Sequence, residues 1–388
     1  MDHIACLVRR GTEILLVRRE SGALDALAEP VEEPSIDAAR RLLESALGSA
    51  PVQFVRSGDP IENGGEIHPY LWECEDEAEP ELPDAEWVQP PAILERAATP
   101  QLWTVYRAVA PTVDVVRTDT DHGAAYLSVR ALEAIRDAAA EAAAGRGGVD
   151  VEAIAAELRS ARPGMGVIAT RIDRLMSGDR SPASVRDRAM EACEVAIETD
   201  RRAGERAAAE LADRVLTLSR SGTVEVALRR AEPTVSVAES RPACEGVAVA
   251  ESLADAGLDV TICVDAAVAT VLKTESVGTL LVGADAVTPD AVYNKVGTTP
   301  AALAAAELGV DCYAVAARDK IRPDAAVEAG DPDAVYDGDA DVRALNPTFE
   351  PTPLERFDAV VTESGRLDAA AVERIASEHA ALAAWTAR

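Results

Sequence analysis

VGADAVTPDAVYNKVGT, residues 282–298, lies between an apolar run (Thr279-Leu280-Leu281-Val282) and an alanine-rich helical segment. The run ends in Gly-Ala-Asp, a short polar loop follows, and Asn294-Lys295-Val296-Gly297-Thr298 leads into the helix. This is the pattern of a strand end in an open α/β sheet, where ligands sit outside the carboxyl ends of parallel strands. A carboxylate there, followed by Asn, Lys, Gly and Thr at a helix start, points to a site for a phosphorylated small molecule.

Strands and helices alternate around this stretch from about residue 215 onward. RVLTLS, TVSVAE, DVTICVD, TLLVGAD, DCYAVAA and AVVTES read as strands, and segments such as GVAVAESLADAG and PAALAAAELG as the helices between them. The alternation predicts a doubly wound parallel sheet over 215–388, with helices on both faces. EAGDPDAVYDGDADVRALNPTFEPTPLERF, near the end, reads as a long acidic connection.

Residues 120–214 read as helical throughout, as one subdomain. Ser181-Pro182 starts the longest run, SPASVRDRAMEACEVAIETDRRAGERAAAELA, and Gly204 is its candidate interruption. Residues 1–112 read as an α+β domain. IACLVRR and EILLVRRE form a hairpin, SIDAARRLLESALG a helix capped by Ser35 and stopped by Gly48, VQFVRSG and IHPYLWECE further strands, and AILERA a closing helix.

A chain of 388 residues, 48% apolar, supports two or three domains. No apolar run approaches the ~18 residues of a membrane helix. The opening MDHIACLVRRGTEILLVRRE is charged too early and too often for a signal peptide, so a cytoplasmic protein is expected. The net charge is −30, and Lys273, Lys295 and Lys320 are the only lysines. This acid-rich, lysine-poor usage resembles that of a halophilic cytoplasm. Such a surface repels nucleic acid and anionic membranes, although high salt screens the repulsion. The six cysteines and four histidines are scattered without zinc or disulfide spacing, so no metal and no cofactor are expected.

Several strands of the last region end in polar residues that could line one rim. Ser219, Arg220, Ser221, Gly222 and Thr223 follow the first strand, Glu239 and Arg241 the second, Asp265 the third, and Asp285, Asn294 and Lys295 the fourth. The first group offers hydroxyls, amides and a guanidinium to an anion. Arg241 can fork onto a phosphate, Lys295 can supply a point charge, and Asp285 can bind a sugar hydroxyl or act as a base. The plain alternatives are a helix cap at 219–223, a structural ion pair between Glu239 and Arg241, and a turn at Asp285.

LTLSRSGTV, VAESRPACEG, VDAAVATVL, the 282–298 stretch, NPTFEPTPLERFDAVVTESG and the helical ARPGMGVIATRIDRL occur in this order. Over about 124–388 the chain resembles the family of initiation factor 2B alpha, beta and delta subunits, which also holds methylthioribose-1-phosphate and ribose-1,5-bisphosphate isomerases. The resemblance implies a helical subdomain on a Rossmann-like domain, in dimers or larger assemblies. It also implies an isomerase pair of cysteine and aspartate. The aspartate falls on Asp285, but the cysteine position holds Ser219, with Leu218 where a histidine would stand. An alcohol is far less acidic than a thiol, whose pKa is about 8.5. Serine therefore needs an activating partner to replace the cysteine.

The N-terminal region resembles a Nudix domain, with the box falling on 13–50. That family gathers magnesium with helical glutamates. Here Arg41 and Gly48 match the ends of the motif, but Leu42, Ser45 and Ala46 occupy the glutamate positions, and Glu44 is turned about 100° away. The expected function is therefore an initiation factor 2B-like protein that binds a phosphorylated sugar or nucleotide without catalysis, as a homo-oligomer. The alternatives are an aldose–ketose isomerase using Asp285, a Nudix-type hydrolase with Glu29, Glu32 and Glu33 as ligands, and a translation factor subunit contacting initiation factor 2 subunits.

Overall fold

The computed structural model describes residues 1–48, 51–74, 82, 84–327 and 329–387. The chain forms two compact units: 1–116 with 130–155 and 179–194, and 117–129 with 156–178 and 195–388. The helical stretch that reads as one subdomain over 120–214 is thus divided. The helix Ala124–Ala143 starts in the second unit and ends in the first, and the helix Pro182–Ala208 does the reverse. Periodicity reveals that a segment is helical; it does not say to which core each turn belongs.

Among the described residues the first unit is built on eight strands: β1 (Asp2–Arg10), β2 (Glu13–Arg18), β3 (Leu24–Asp25), β4 (Leu27–Val31), β5 (Val52–Ser57), β6 (Ile61–Glu62), β7 (Glu66–Cys74) and β8 (Ala85–Val88). β1 and β2 form the expected hairpin, with Val8 opposite Leu15. β7 runs parallel to β1, and every other pairing is antiparallel. Alternate side chains of β1 serve two cores. Ile4, Cys6 and Val8 pack on the helix Ile36–Leu47, while Ala5 and Leu7 pack with the helix Leu102–Val109. Ser35 caps the first of these helices through the Ala38 amide, as expected. Arg136 and Asp137 are fully buried, and their charges are satisfied by each other, Tyr106, Gln89 and the Thr12 carbonyl.

The second unit adds β9 (Arg214–Leu218), β10 (Thr234–Ala238), β11 (Val260–Cys263), β12 (Thr279–Gly283), β13 (Ala286–Val287), β14 (Ala291–Lys295), β15 (Asp311–Val315), β16 (Phe349–Pro353), β17 (Ala359–Thr362) and β18 (Gly365–Leu367). The main sheet has the order β11-β10-β9-β12-β15-β17-β18, parallel except for β18. The six parallel strands are those read from the sequence, in the doubly wound order third-second-first-fourth-fifth-sixth. Helices cover both faces, which is why β12 is buried at every residue and reads as an unbroken apolar run. Leu216, Leu280 and Val282 enter one core, and Val215, Leu281 and Val315 the other.

Two local expectations are corrected. The stretch after Asp285 is not a polar loop. Thr288–Ala291 contacts close a hairpin of β13 and β14, and β16 of the acidic connection pairs with β14 as a third sheet. Gly204 does not interrupt its helix, which runs unbroken from Pro182 to Ala208. A Cβ at Gly204 would lie 2.5 Å from the Thr223 carbonyl oxygen, so the glycine is there for close packing. Among the described residues no helix is long and apolar enough to cross a membrane.

Candidate functional site

β9 and β12 are neighbours, yet their onward connections leave in opposite directions across the sheet. This is the switch point at which open α/β sheets bind ligands. Ser219 follows β9 and Asp285 follows β12, so the two residues flank it. Gly283 lets the strand end come close: a Cβ there would sit 2.7 Å from Ser221 Oγ.

The turns after β9 and β10 form one connected lattice. The Asp265 carboxylate accepts the amides of Ser240 (2.8 Å) and Arg241 (2.7 Å). Ser240 Oγ in turn accepts the Ser219 amide at 2.6 Å. Ser219, Ser240 and Cys244 adopt φ of +63°, +64° and +59°, a left-handed region that non-glycine residues rarely enter. Strained backbone of this kind concentrates at binding and catalytic sites.

The residues singled out in the sequence divide into two groups. Asp265 holds backbone, so both its oxygens are occupied. Lys295 is buried and donates to Glu245 Oε1 at 2.5 Å, so it is an ion-paired group rather than a free point charge. Ser221 caps the helix Gly222–Ala231 through the Val224 amide, as the plain alternative has it, with Thr223 buried behind it. Asn294 donates to Thr298 Oγ1 at 3.0 Å. The helix start beyond Asn294 is already occupied, because Glu350 accepts the amides of Gly297 and Thr299. Arg220 donates to the Asp121 carbonyl. Arg241 is exposed and donates to Cys244 Sγ at 3.5 Å, with Glu239 near enough to act on its charge.

Asp285 differs from these. Its amide donates to the Tyr293 carbonyl at 2.8 Å, but among the described residues no hydrogen bond or ion pair engages its carboxylate. Burial pushes that carboxyl above its ordinary value, against the opposing pull of Lys320, Lys295 and Arg162. Lys320 and Arg162 belong to the site and were not singled out in the sequence. Lys320 is buried and donates to the Ala284 carbonyl at 2.6 Å, and Arg162 donates to the Asp119 carbonyl at 2.5 Å. The rarity of lysine was the available signal for Lys320; Arg162 gave none beyond its place in ARPGMG.

In the first unit, Leu43 and Ala46 face the core and Leu42 packs against it, while Glu44 and Ser45 are exposed. Among the described residues no three acidic, histidine or cysteine side chains converge on a metal-sized space, Glu29, Glu32 and Glu33 included. This donor set does not fit magnesium.

The model of the initiation factor 2 subunit family matches residues 120–369. Methylthioribose-1-phosphate isomerase of Geobacillus thermodenitrificans is 30% identical over 244 residues, which are 54% of this chain and 69% of that enzyme. Ribose 1,5-bisphosphate isomerase of Methanocaldococcus jannaschii is 36% identical over 140 residues, 33% of this chain and 44% of that enzyme. Among solved structures, translation initiation factor eIF-2B of Pyrococcus horikoshii aligns with a TM-score of 0.57 at 25% identity, over 66% of this chain and 94% of that one.

Proposed function

The chain belongs to the initiation factor 2 subunit family, and from that premise we propose that its second unit binds a phosphorylated sugar or nucleotide at the Asp285 rim without converting it. One observation carries the reading. Asp285 stands at the switch point with a carboxylate that, among the described residues, no hydrogen bond or ion pair engages, facing Lys320, Lys295 and Arg162. A polyol phosphate suits such a site: a hydroxyl donates to the carboxylate, and the phosphate takes Lys320, Arg162 and the exposed Arg241, Lys295 being held by Glu245. Catalysis is argued against by Ser219, an alcohol to which no base is hydrogen-bonded among the described residues. Thermal-shift titration in high salt with AMP, ribose 5-phosphate and ribose 1,5-bisphosphate tests this. Stabilisation by at least one, lost in Lys320→Met, is expected; no shift with any of the three overturns it.

A second reading has a specific observation behind it. Burial raises the Asp285 carboxyl above its ordinary value, the direction that favours a general base, and two relatives are named methylthioribose-1-phosphate isomerase and ribose 1,5-bisphosphate isomerase. Turnover of ribose 1,5-bisphosphate or methylthioribose 1-phosphate by the native chain, abolished in Asp285→Asn, would establish isomerisation in place of binding alone.

The first unit is proposed to be a Nudix-like module without the metal chemistry, serving a second ligand or assembly. Homo-oligomer formation and contact with initiation factor 2 subunits belong to the same proposal. Light scattering and co-purification test them, and a monomer that retains no such subunit overturns them.

A further inference from the structure

His379 is the buried histidine of the helix Ala369–Leu382, and it sits against the turn that delivers Lys320 to the Asp285 rim. Its Nδ1 lies 2.8 Å from the Ile321 carbonyl oxygen, and its Nε2 lies 3.0 Å from Arg174 Nη2. A carbonyl can only accept and a guanidinium can only donate. The ring must therefore carry its proton on Nδ1 and present a bare Nε2, which is the neutral imidazole.

The turn 318–321 hangs on this arrangement. Arg174 Nη2 also donates to Asp319 Oδ1 at 2.6 Å, and the Arg318 amide donates to Glu363 at 3.0 Å. Beyond the turn, the Arg322 amide donates to the Val287 carbonyl at 2.8 Å. Between these anchors Lys320 reaches the carbonyl of Ala284, the residue before Asp285.

We propose that His379 is a positioning residue for the Asp285 rim: clamped as a neutral ring between Arg174 and the Ile321 carbonyl, it fixes the turn from which Lys320 acts. The proposal rests on the reading of that rim as a ligand site. A proton on Nε2 would oppose an N–H to the Arg174 N–H, so one of the two side chains must move. The charged groups facing the ring are Asp319, Arg318 and Arg174, with Glu378 next to it on its own helix. The Ile321 carbonyl and Asp319 on the turn favour the charged ring, as does Glu378 beside it. Burial and the two arginines oppose it and hold His379 below its ordinary value. The rim should therefore tolerate neutral pH and slacken in acid.

The test compares the full chain with His379→Asn, which keeps a donor for the Ile321 carbonyl and cannot ionise, and with His379→Leu, which loses both contacts. Calorimetric titration with ribose 1,5-bisphosphate at pH 7.5 and 5.0 is expected to show native affinity falling at least threefold more than that of His379→Asn. Phosphate protonation is common to both proteins and cancels. At pH 7.5 His379→Leu should bind at least threefold more weakly than the native chain. Equal acid losses, or native affinity in His379→Leu, overturn the proposal. A ligand-free arm separates it from the site reading. Hydrogen exchange in His379→Leu should rise at 284–288 and 318–322 and stay unchanged in β9 and β10. A uniform rise, or none, overturns the positioning role even if no sugar phosphate binds.

Discussion

The Glu350 carboxylate accepts the Thr299 amide at 2.9 Å, and the same oxygen accepts the Gly297 amide at 2.8 Å. β16 carries Glu350 into place, paired opposite Asn294 of β14. A strand of the acidic connection thus supplies the negative charge that the helix start at Thr298 calls for. Glu350→Ala should lower stability by about 1–2 kcal/mol, as loss of a helix cap does, and Glu350→Gln by less. Chemical denaturation at fixed salt measures this. An unchanged midpoint in Glu350→Ala would mean that water serves those amides equally well.

The difference between what the sequence discloses and what it hides follows from range. Five of the six parallel strands are legible because burial on both faces writes them as apolar runs, and the edge strand β11 because VTIC is largely apolar and β-branched although its middle is exposed. The hairpin of β13 and β14 is hidden because AVYNK mixes apolar and polar residues without a period. Its partner β16, FEPTP, carries two prolines and pairs Phe349 with Lys295 from far along the chain. The same limit applies to the site. Asp285 is visible as a carboxylate at a strand end, but nothing local says that Glu245 neutralises Lys295 or that Asp265 holds the Ser240 turn. Residue type marks what a side chain can do, and only the fold shows which groups are already engaged.

Asp265 gives the second prediction. It accepts two amides of the Ser240–Arg241 turn, and Ser240 accepts the Ser219 amide. Asp265→Ala leaves both amides without their acceptor and should cost about 1–3 kcal/mol. Asp265→Asn keeps one acceptor and should cost less. Exchange at the Ser219 and Ser240 amides should quicken in Asp265→Ala before that of β9 itself. Simultaneous loss across the strand would refute the local role.

Two helical glycines separate packing from propensity. A Cβ at Gly246 would lie 1.9 Å from the Ala238 carbonyl oxygen, whereas none of the surroundings comes within 4 Å of one at Gly222. Both stand in the first turn of a helix. Alanine is intrinsically better than glycine in a helix by about 1 kcal/mol. Gly222→Ala should therefore be neutral or slightly stabilising. Gly246→Ala must push the helix Glu245–Asp255 off the end of β10 and should cost about 3 kcal/mol, at the top of the usual range for point changes. Thermal melts of the two variants decide it, and equal midpoints would show that the helix shifts freely.

The Asp285 carboxyl gives a prediction in which the sign of a pH effect decides its role. Its pKa in the folded chain is raised by burial, above about 3.9 in an unfolded chain. Between those two values the folded state holds the proton more tightly, so stability falls as pH rises through the window. Above the folded value the native protein carries the whole cost of a buried, unengaged charge. Asp285→Asn removes that titration and keeps the shape. Its melting temperature relative to the native chain should climb as the pH rises above about 4 and level off once the folded carboxyl is ionised, with the variant the more stable from there on. Binding of ribose 1,5-bisphosphate should weaken in the same variant, because the hydroxyl loses a charged acceptor. More stability with less binding is the mark of a carboxylate kept for its ligand. If Asp285→Asn is instead less stable at pH 7, the attraction of Lys320, Lys295 and Arg162 outweighs burial, and Asp285 is their structural counter-ion.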